Sequence, residues 1–315
     1  MDVGALIDGV LAREPRAVAR SISLVEDGGA ELPALSAGLY PHTGGASTVG
    51  LTGAPGVGKS TIATALVRSA RGAGKRVAVV AIDPSSPYTG GALLGDRVRM
   101  QEHATDPDVF IRSMATRGHL GGMALAAPEA VRILDAAGYD LVIVETVGVG
   151  QAEIDVAAAT DTALVVLAPG LGDAVQMAKA GILEVADVFV VNKADRDDAP
   201  EVVRGLQQML HQGAARTWNP PVLLTTATEA DGIEALWDAI EQHRTWLAGS
   251  GALHDKREAR IVREVGSLAA ARVNLSITDA LAADGELVAQ LRDRRIDPYV
   301  AATELLRRVP PEERG

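Results

Sequence analysis

Between residues 47 and about 247, short runs, most of them near-continuously apolar, alternate with longer amphipathic stretches. The runs are Ser47–Thr52, Val77–Ile82, Val109–Ser113, Leu141–Glu145, Ala163–Leu167, Val188–Val191 and Val222–Thr225. A strand with one wet face alternates apolar and polar positions. A run that is apolar throughout predicts a strand covered on both faces, as in a parallel sheet. The spacing between the runs predicts helices over Thr61–Ala70, Glu129–Ala137, Asp173–Glu184, Glu201–Gln212 and Ile233–Leu247. Strand and helix in alternation predict an α/β fold, a doubly wound, mostly parallel sheet.

The flanks read differently. Residues 1–46 predict helices over Ala5–Ala12 and Pro15–Val25 and a Gly-containing loop over Tyr40–Ala46. Gly249-Ser250-Gly251 predicts a boundary, which gives an N-terminal helical extension (1–46), an α/β domain (47–248) and a C-terminal helical segment (249–315). In that last segment a helix over Asp255–Val273 puts Ile261, Val265 and Leu268 on one face, and shorter helices are expected near Ser276–Ala283 and Pro298–Arg308. The segment is short for a core of its own. It either packs on another subunit or folds back on its own sheet.

Composition narrows the chemistry. Aromatic residues are 3% of the chain against 47% hydrophobic, so the core must be built from Ala, Val, Leu and Ile. A net charge of −11 argues against nucleic acid or an anionic membrane as partner. The basic cluster Arg257-Glu258-Ala259-Arg260 alternates with acid and reads as a solvated helix face. With no cysteine there is no disulfide, thiolate metal site or Cys nucleophile, and the six histidines show no metal-ligand spacing. The N-terminus lacks a basic start and apolar run, and no apolar span is long enough to cross a bilayer, so a cytoplasmic location is expected.

Gly53-Ala54-Pro55-Gly56-Val57-Gly58-Lys59-Ser60-Thr61 is a complete G-x-x-x-x-G-K-[ST] loop between an expected strand and an expected helix. Its backbone N–H groups can converge on a phosphate, Lys59 brings a cation to the β/γ-phosphates, and Ser60 is the expected Mg²⁺ ligand. Asp83 ends an apolar strand, and Asp96 lies in the following glycine-bearing loop, which suits a switch over Mg²⁺ and the γ-phosphate. Glu145 ends another strand, where its carboxylate would hold the metal through water, and the Gly148 N–H would meet the γ-phosphate. Asn192-Lys193-Ala194-Asp195 follows the strand Val188–Val191. Asp195 can accept from guanine N1–H and its amine, while Asn192 and Lys193 brace and cover the base. Thr226-Ala227-Thr228 sits where a backbone N–H would meet guanine O6. These residues imply GTP/GDP with Mg²⁺. Val149 stands where a water-orienting Gln is found in Ras-type enzymes, so water falls to another group, Asp83 or else Gln151, or hydrolysis waits for a partner.

Taken together, Gly53–Thr61, Asp83–Pro87 with Thr89–Gly91 and Gly95–Arg97, Glu145–Gln151, Asn192–Asp195 and His254–Arg257 resemble the MeaB/ArgK family of P-loop GTPases, which includes the methylmalonic aciduria type A protein. The resemblance implies a fold of the dimerising GTPase class shared with metallochaperones and signal-recognition GTPases. It further implies a homodimer formed through the C-terminal arm, and a chaperone of an adenosylcobalamin-dependent acyl-CoA mutase, usually methylmalonyl-CoA mutase. By the same resemblance Lys179 matches a lysine of a third switch that helps hydrolysis, although Ala174 stands where an acid usually follows Asp173. Three other roles compete: a nickel metallochaperone, for which the chain lacks soft ligands, a kinase of a transport protein, for which no acceptor pocket is visible in the sequence, and an interaction module that binds GTP without turnover, which Val149 would allow.

Overall fold

The structure, a computed structural model, describes residues 2–83, 101–103, 105–115, 122–146, 152–171, 182–213 and 216–308. It separates into two compact units, Met1–Arg260 and Ile261–Gly315.

The first unit is built on seven strands: β1 (Ser47–Thr52), β2 (Val77–Asp83), β3 (Val109–Ala115), β4 (Leu141–Thr146), β5 (Thr162–Leu167), β6 (Val188–Asn192) and β7 (Val222–Thr225). They form one sheet of order β3-β2-β4-β1-β5-β6-β7, and every neighbouring pair is parallel. The unbroken apolar runs have the expected cause. In β4, Val142 and Val144 enter the core on one face while Leu141 and Ile143 enter the core on the other. β2 divides in the same way, with Ala78, Val80 and Ile82 against Val77 and Val79.

One face is covered by α1 (Val3–Leu11), α2 (Pro15–Asp27), α3 (Leu32–Leu39), α5 (Gly122–Ala136) and α6 (Ala152–Ala159), the other by α4 (Lys59–Gly72) and α9 (Ile233–Ser250). The short α7 (Ile182–Val185) precedes β6, and α8 (Ala199–Gln212) covers β5 and β6 through Leu206. α3 fills much of a stretch left unassigned in sequence; Leu35 and Leu39 are buried on it and recruit it to the core. The expected start at Glu129 falls short, because α5 begins at Gly122 and carries Pro128 inside it. Proline in a helix interior forfeits a hydrogen bond. Here Ala126, Ala127, Ala130 and Leu134 are buried along the same helix, and that packing outweighs the loss. Most of the expected helix over Asp173–Glu184 lies outside the described residues.

α10 (Ala252–Ala283) follows directly on Gly251, which is left-handed at φ +81°. Its first residues belong to the first unit, where the reading of Arg257 and Arg260 as a solvated face is overturned. Arg257 Nη2 donates to Asp161 Oδ2 at 2.8 Å and Arg260 Nη2 to Asp161 Oδ1 at 2.9 Å. Lys256 Nζ donates to the Asp161 carbonyl at 2.7 Å and to Asp187 Oδ2 at 2.8 Å. Asp161 and Asp187 immediately precede β5 and β6, so the cluster closes the N-terminal edge of the sheet. Burial by itself would raise the Asp161 pKa, but the Arg257 hydrogen bond and the charges of Arg260 and Arg257 outweigh it and hold the carboxyl below its ordinary value. Beside it, His243 is fully buried, 2.9 Å from Thr162 Oγ1 and stacked on Trp246.

In the second unit α10 runs unbroken through Asn274–Ser276, where separate helices were expected. Thr278 Oγ1 donates to the Asn274 carbonyl at 2.8 Å, so its hydroxyl is satisfied inside the helix. α11 (Gly285–Arg292), unforeseen in sequence, is capped by Asp284, whose Oδ1 accepts from Leu287 N at 2.9 Å. α12 (Pro298–Arg308) contributes Ala301 and Leu305 to a small core with Leu287.

Candidate nucleotide site

β1 is flanked by β4 and β5, so the chain leaves β1 at the point where the sheet's winding reverses. Open α/β sheets bind ligands there. The loop after β1 runs through Gly53 at φ +140° and Gly58 at φ +100° before α4 begins at Lys59. Glycine is required at both. A Cβ on Gly53 would collide with the Val166 carbonyl of β5, and one on Gly58 with the Asn192 amide. No side-chain hydrogen bond caps the N-terminus of α4 among the described residues, and a helix start of this kind favours an anion.

Lys59 is buried, and its Nζ donates to the Gly53 carbonyl at 2.7 Å and to the Ala54 carbonyl at 3.1 Å, which folds the ammonium over the loop. Ser60 Oγ donates to Glu145 Oε1 at 2.6 Å. Glu145 is 4% exposed and sits between Leu51 of β1 and Ala81 of β2 in register. A hydroxyl and a carboxylate meeting beside a phosphate loop form a hard oxygen donor set, which fits Mg²⁺ and not a soft metal. Asp83 closes β2, its Cα paired with Ala115 of β3. Its side chain, together with Asp96, Gly148, Val149, Gln151 and Lys179, lies outside the described residues.

The base side of the site is organised by Asn192, 3% exposed at the end of β6. Its Nδ2 donates to the Val57 carbonyl at 2.8 Å, while its Oδ1 accepts from Thr225 Oγ1 and from Ala227 N, each at 3.1 Å. One side chain therefore ties the phosphate loop, β6 and the loop after β7 together. Lys193, left-handed at φ +59°, sends its Nζ to the Gly56 carbonyl at 2.7 Å. Asp195 is exposed, and no protein hydrogen bond to its carboxylate occurs among the described residues, as suits a group that reads a ligand. Thr226 and Ala227 are buried and Thr228 is exposed. Of the Thr226–Thr228 backbone N–H groups, one of which was expected to meet guanine O6, that of Ala227 is held by Asn192 in this structure. Sequence gave no sign of Thr225 as a partner of Asn192; a strand-terminal threonine carries no pattern of its own.

A parallel sheet with this loop at its switch point and an Asn-Lys-x-Asp turn braced against it defines a P-loop GTPase. The profile of the family described as Methylmalonyl Co-A mutase-associated GTPase MeaB matches residues 18–282, and the chain belongs to that family. A Pyrococcus horikoshii protein carrying a GTPase name is 45% identical over 311 residues, with 98% of each chain covered. GTPase ArgK of Escherichia coli is 40% identical over 260 residues, covering 79% of this chain and 78% of that one. A solved structure described as LAO/AO transport system kinase superposes with a TM-score of 0.71 at 28% identity, covering 98% of this chain and 97% of that one. The chain hydrolyses GTP.

Proposed function

We propose that this GTPase is a chaperone of an adenosylcobalamin-dependent acyl-CoA mutase, methylmalonyl-CoA mutase in the first instance, and that its nucleotide state gates cofactor loading and protects or reactivates the enzyme. The observation that carries the reading is the family match over residues 18–282, whose description names that mutase.

Within the site, residues 53–61 hold the phosphates, and Lys59 leaves its loop carbonyls to meet the β/γ-oxygens. Ser60 and Glu145 would hold Mg²⁺, the carboxylate through water, and Asp83 and Asp96 are assigned to the same metal. Mg²⁺, when bound, neutralises charge on the β- and γ-phosphate oxygens. Gly148 N–H meets the γ-phosphate, while Asp83 and Lys179 serve the attacking water and the developing charge. Asn192 and Lys193 form the wall of the base pocket, Asp195 reads guanine, and Thr226, Ala227 and Thr228 line its O6 edge. We assign the segment 249–315 to homodimerisation, supported by the exposure of Ile261, Val265 and Leu268 on α10. The working location is the cytoplasm.

The test is to titrate purified full-length protein with methylmalonyl-CoA mutase in three states: no nucleotide, GDP, and a non-hydrolysable GTP analogue. Affinities that differ between states support the chaperone; absence of binding in all three removes it. The similar structure described as a kinase suggests a second reading. GTP labelled at the γ-phosphate separates the two: label released as inorganic phosphate supports hydrolysis, and label retained on a protein acceptor favours a kinase.

A further inference from the structure

Asn192 and Lys193 are direct struts from the guanine loop to the phosphate loop. A third strut leaves the same loop and takes a different route. Arg196 follows Asp195, its N–H donating to the Lys193 carbonyl at 3.1 Å and its own carbonyl accepting from Ala199 N at 3.1 Å, which seats it at the entry to α8. Its Nη1 donates to the Pro169 carbonyl at 3.1 Å.

Pro169 belongs to the tight turn that ends β5. Leu171 N donates to the Ala168 carbonyl at 3.1 Å, and Gly170 sits at φ +70°. On its far side the turn meets the phosphate loop. Leu171 packs on the same core as Val57, and its Cδ1 lies 3.9 Å from the position a Cβ on Gly56 would take. The turn is therefore held between the two loops, by Arg196 from the guanine side and by Leu171 from the phosphate side.

We propose that Arg196 is a positioning residue for hydrolysis: it fixes the Ala168–Leu171 turn as one wall of the phosphate loop, so that a correctly seated guanine is rewarded in rate as well as in affinity. This rests on reading Asn192–Asp195 as the guanine loop. Arg196 touches neither phosphate nor base on this account, and its effect passes through the turn. Its partner is a neutral carbonyl, so one hydrogen bond carries the contact and an ammonium can replace it in part.

The experiment compares Arg196→Met, Arg196→Lys and Gly170→Ala in the full-length chain with the unsubstituted protein. Single-turnover GTP hydrolysis and equilibrium GDP affinity are both measured. Gly170→Ala strains the turn from within; its added Cβ meets Arg196 Nη1 only at 4.0 Å, an ordinary van der Waals distance, so the hydrogen bond to Pro169 is not blocked. Misplacing a wall of a reacting site is expected to lower the rate about tenfold in Arg196→Met and Gly170→Ala, with GDP affinity held within about threefold. Arg196→Lys recovers part of the rate. An unchanged rate in both Arg196→Met and Gly170→Ala overturns the proposal, and so does a fall in GDP affinity as large as the fall in rate. Asp195→Asn serves as the control on the underlying reading. If it leaves GTP preferred over xanthosine triphosphate, the guanine loop itself is misassigned. If it switches the preference while Arg196→Met hydrolyses at the full rate, only the strut fails.

Discussion

Ser60 Oγ and Glu145 Oε1 stand 2.6 Å apart, joining the first turn of α4 to the end of β4 across 85 residues of chain. Both side chains are buried, at 7% and 4% exposure, so the contact lies inside the wall of the phosphate site. A cation bound there would replace this hydrogen bond, meeting the Ser60 hydroxyl directly and the Glu145 carboxylate through water.

Glu145→Gln should therefore act on metal dependence before it acts on nucleotide affinity. The amide keeps the shape and can still accept from Ser60, but it loses the charge. The Mg²⁺ concentration for half-maximal GTP hydrolysis is expected to rise, with a fall in kcat of about a hundredfold at fixed Mg²⁺. Ser60→Ala should do the same. A Mg²⁺ titration that coincides with that of the unsubstituted protein would remove both residues from the metal site.

Lys59 Nζ is engaged by the Gly53 and Ala54 carbonyls, so turning it fully onto a triphosphate costs those hydrogen bonds. Binding repays this only if the triphosphate offers more charge than two carbonyls do. Lys59→Ala is expected to abolish tight GTP binding while the glycines keep the loop's path. Calorimetry showing GTP affinity within a few-fold of the original would contradict the phosphate-loop assignment.

Asn192 and Asp195 should separate cleanly. Asn192 is buried and makes three hydrogen bonds, so Asn192→Ala strands Val57 O, Thr225 Oγ1 and Ala227 N. Each buried group left unpaired costs about 1–3 kcal/mol, and affinity for every nucleotide should fall with stability. Asp195 is exposed, and Asp195→Asn should change stability by no more than about 0.5 kcal/mol. Its effect is selectivity: an amide can donate to the xanthine carbonyl where the carboxylate accepted from the guanine amine. Competition between GTP and xanthosine triphosphate measures it, and unchanged preference would place guanine recognition elsewhere.

The elements that could be read in sequence share one property: their signal is local. Near-continuous apolar runs announced most of the strands because both faces of the central sheet are covered, and the Gly53–Thr61 loop needs its glycines where a Cβ would strike Val166 or Asn192. What could not be read depends on contacts distant in sequence. α3 exists because Leu35 and Leu39 find a core built by other helices, and Arg257 and Arg260 are drawn from solvent by Asp161, nearly a hundred residues away. A basic residue spaced among acids looks the same in sequence whether its partner is water or a buried aspartate. Thr225 and Arg196 were invisible for the same reason.

That buried cluster makes stability depend on pH in two steps. Burial lowers the His243 pKa against the pull of Asp187, so the unfolded chain takes up the proton first. Its contribution is complete above about pH 6.5 and declines as pH falls below that value. Asp161 is held below its ordinary value in the folded state. Its contribution is complete above about pH 3.9 and is lost as pH falls through the folded pKa. Urea unfolding followed by tryptophan fluorescence suits the test, because Trp218 and Trp246 both pack on His243. His243→Phe should erase the upper step. Asp161→Asn should erase the lower one and cost about 3 kcal/mol at pH 7, since two guanidinium groups lose their charged partner. A single acid transition unaffected by Asp161→Asn would contradict the assignment.

Val149 has no group with which to orient water, so the isolated protein should turn GTP over slowly. A mutase that completes the site should accelerate it. A hundredfold increase corresponds to about 2.7 kcal/mol of transition-state stabilisation, within reach of one newly placed charge or hydrogen bond. Linkage adds a second requirement: if GDP and a GTP analogue alter affinity for the mutase by different factors, the mutase must alter affinity for each nucleotide by the same factors. The measurement is kcat for GTP at saturating mutase, together with nucleotide affinities determined with and without it. Val149→Gln provides the internal comparison. It should raise the basal rate if a side chain at that position can hold the water, and it should then shrink the mutase's effect. Equal rates with and without mutase, and nucleotide affinities that do not move, would defeat the chaperone reading for that enzyme and point to a different partner.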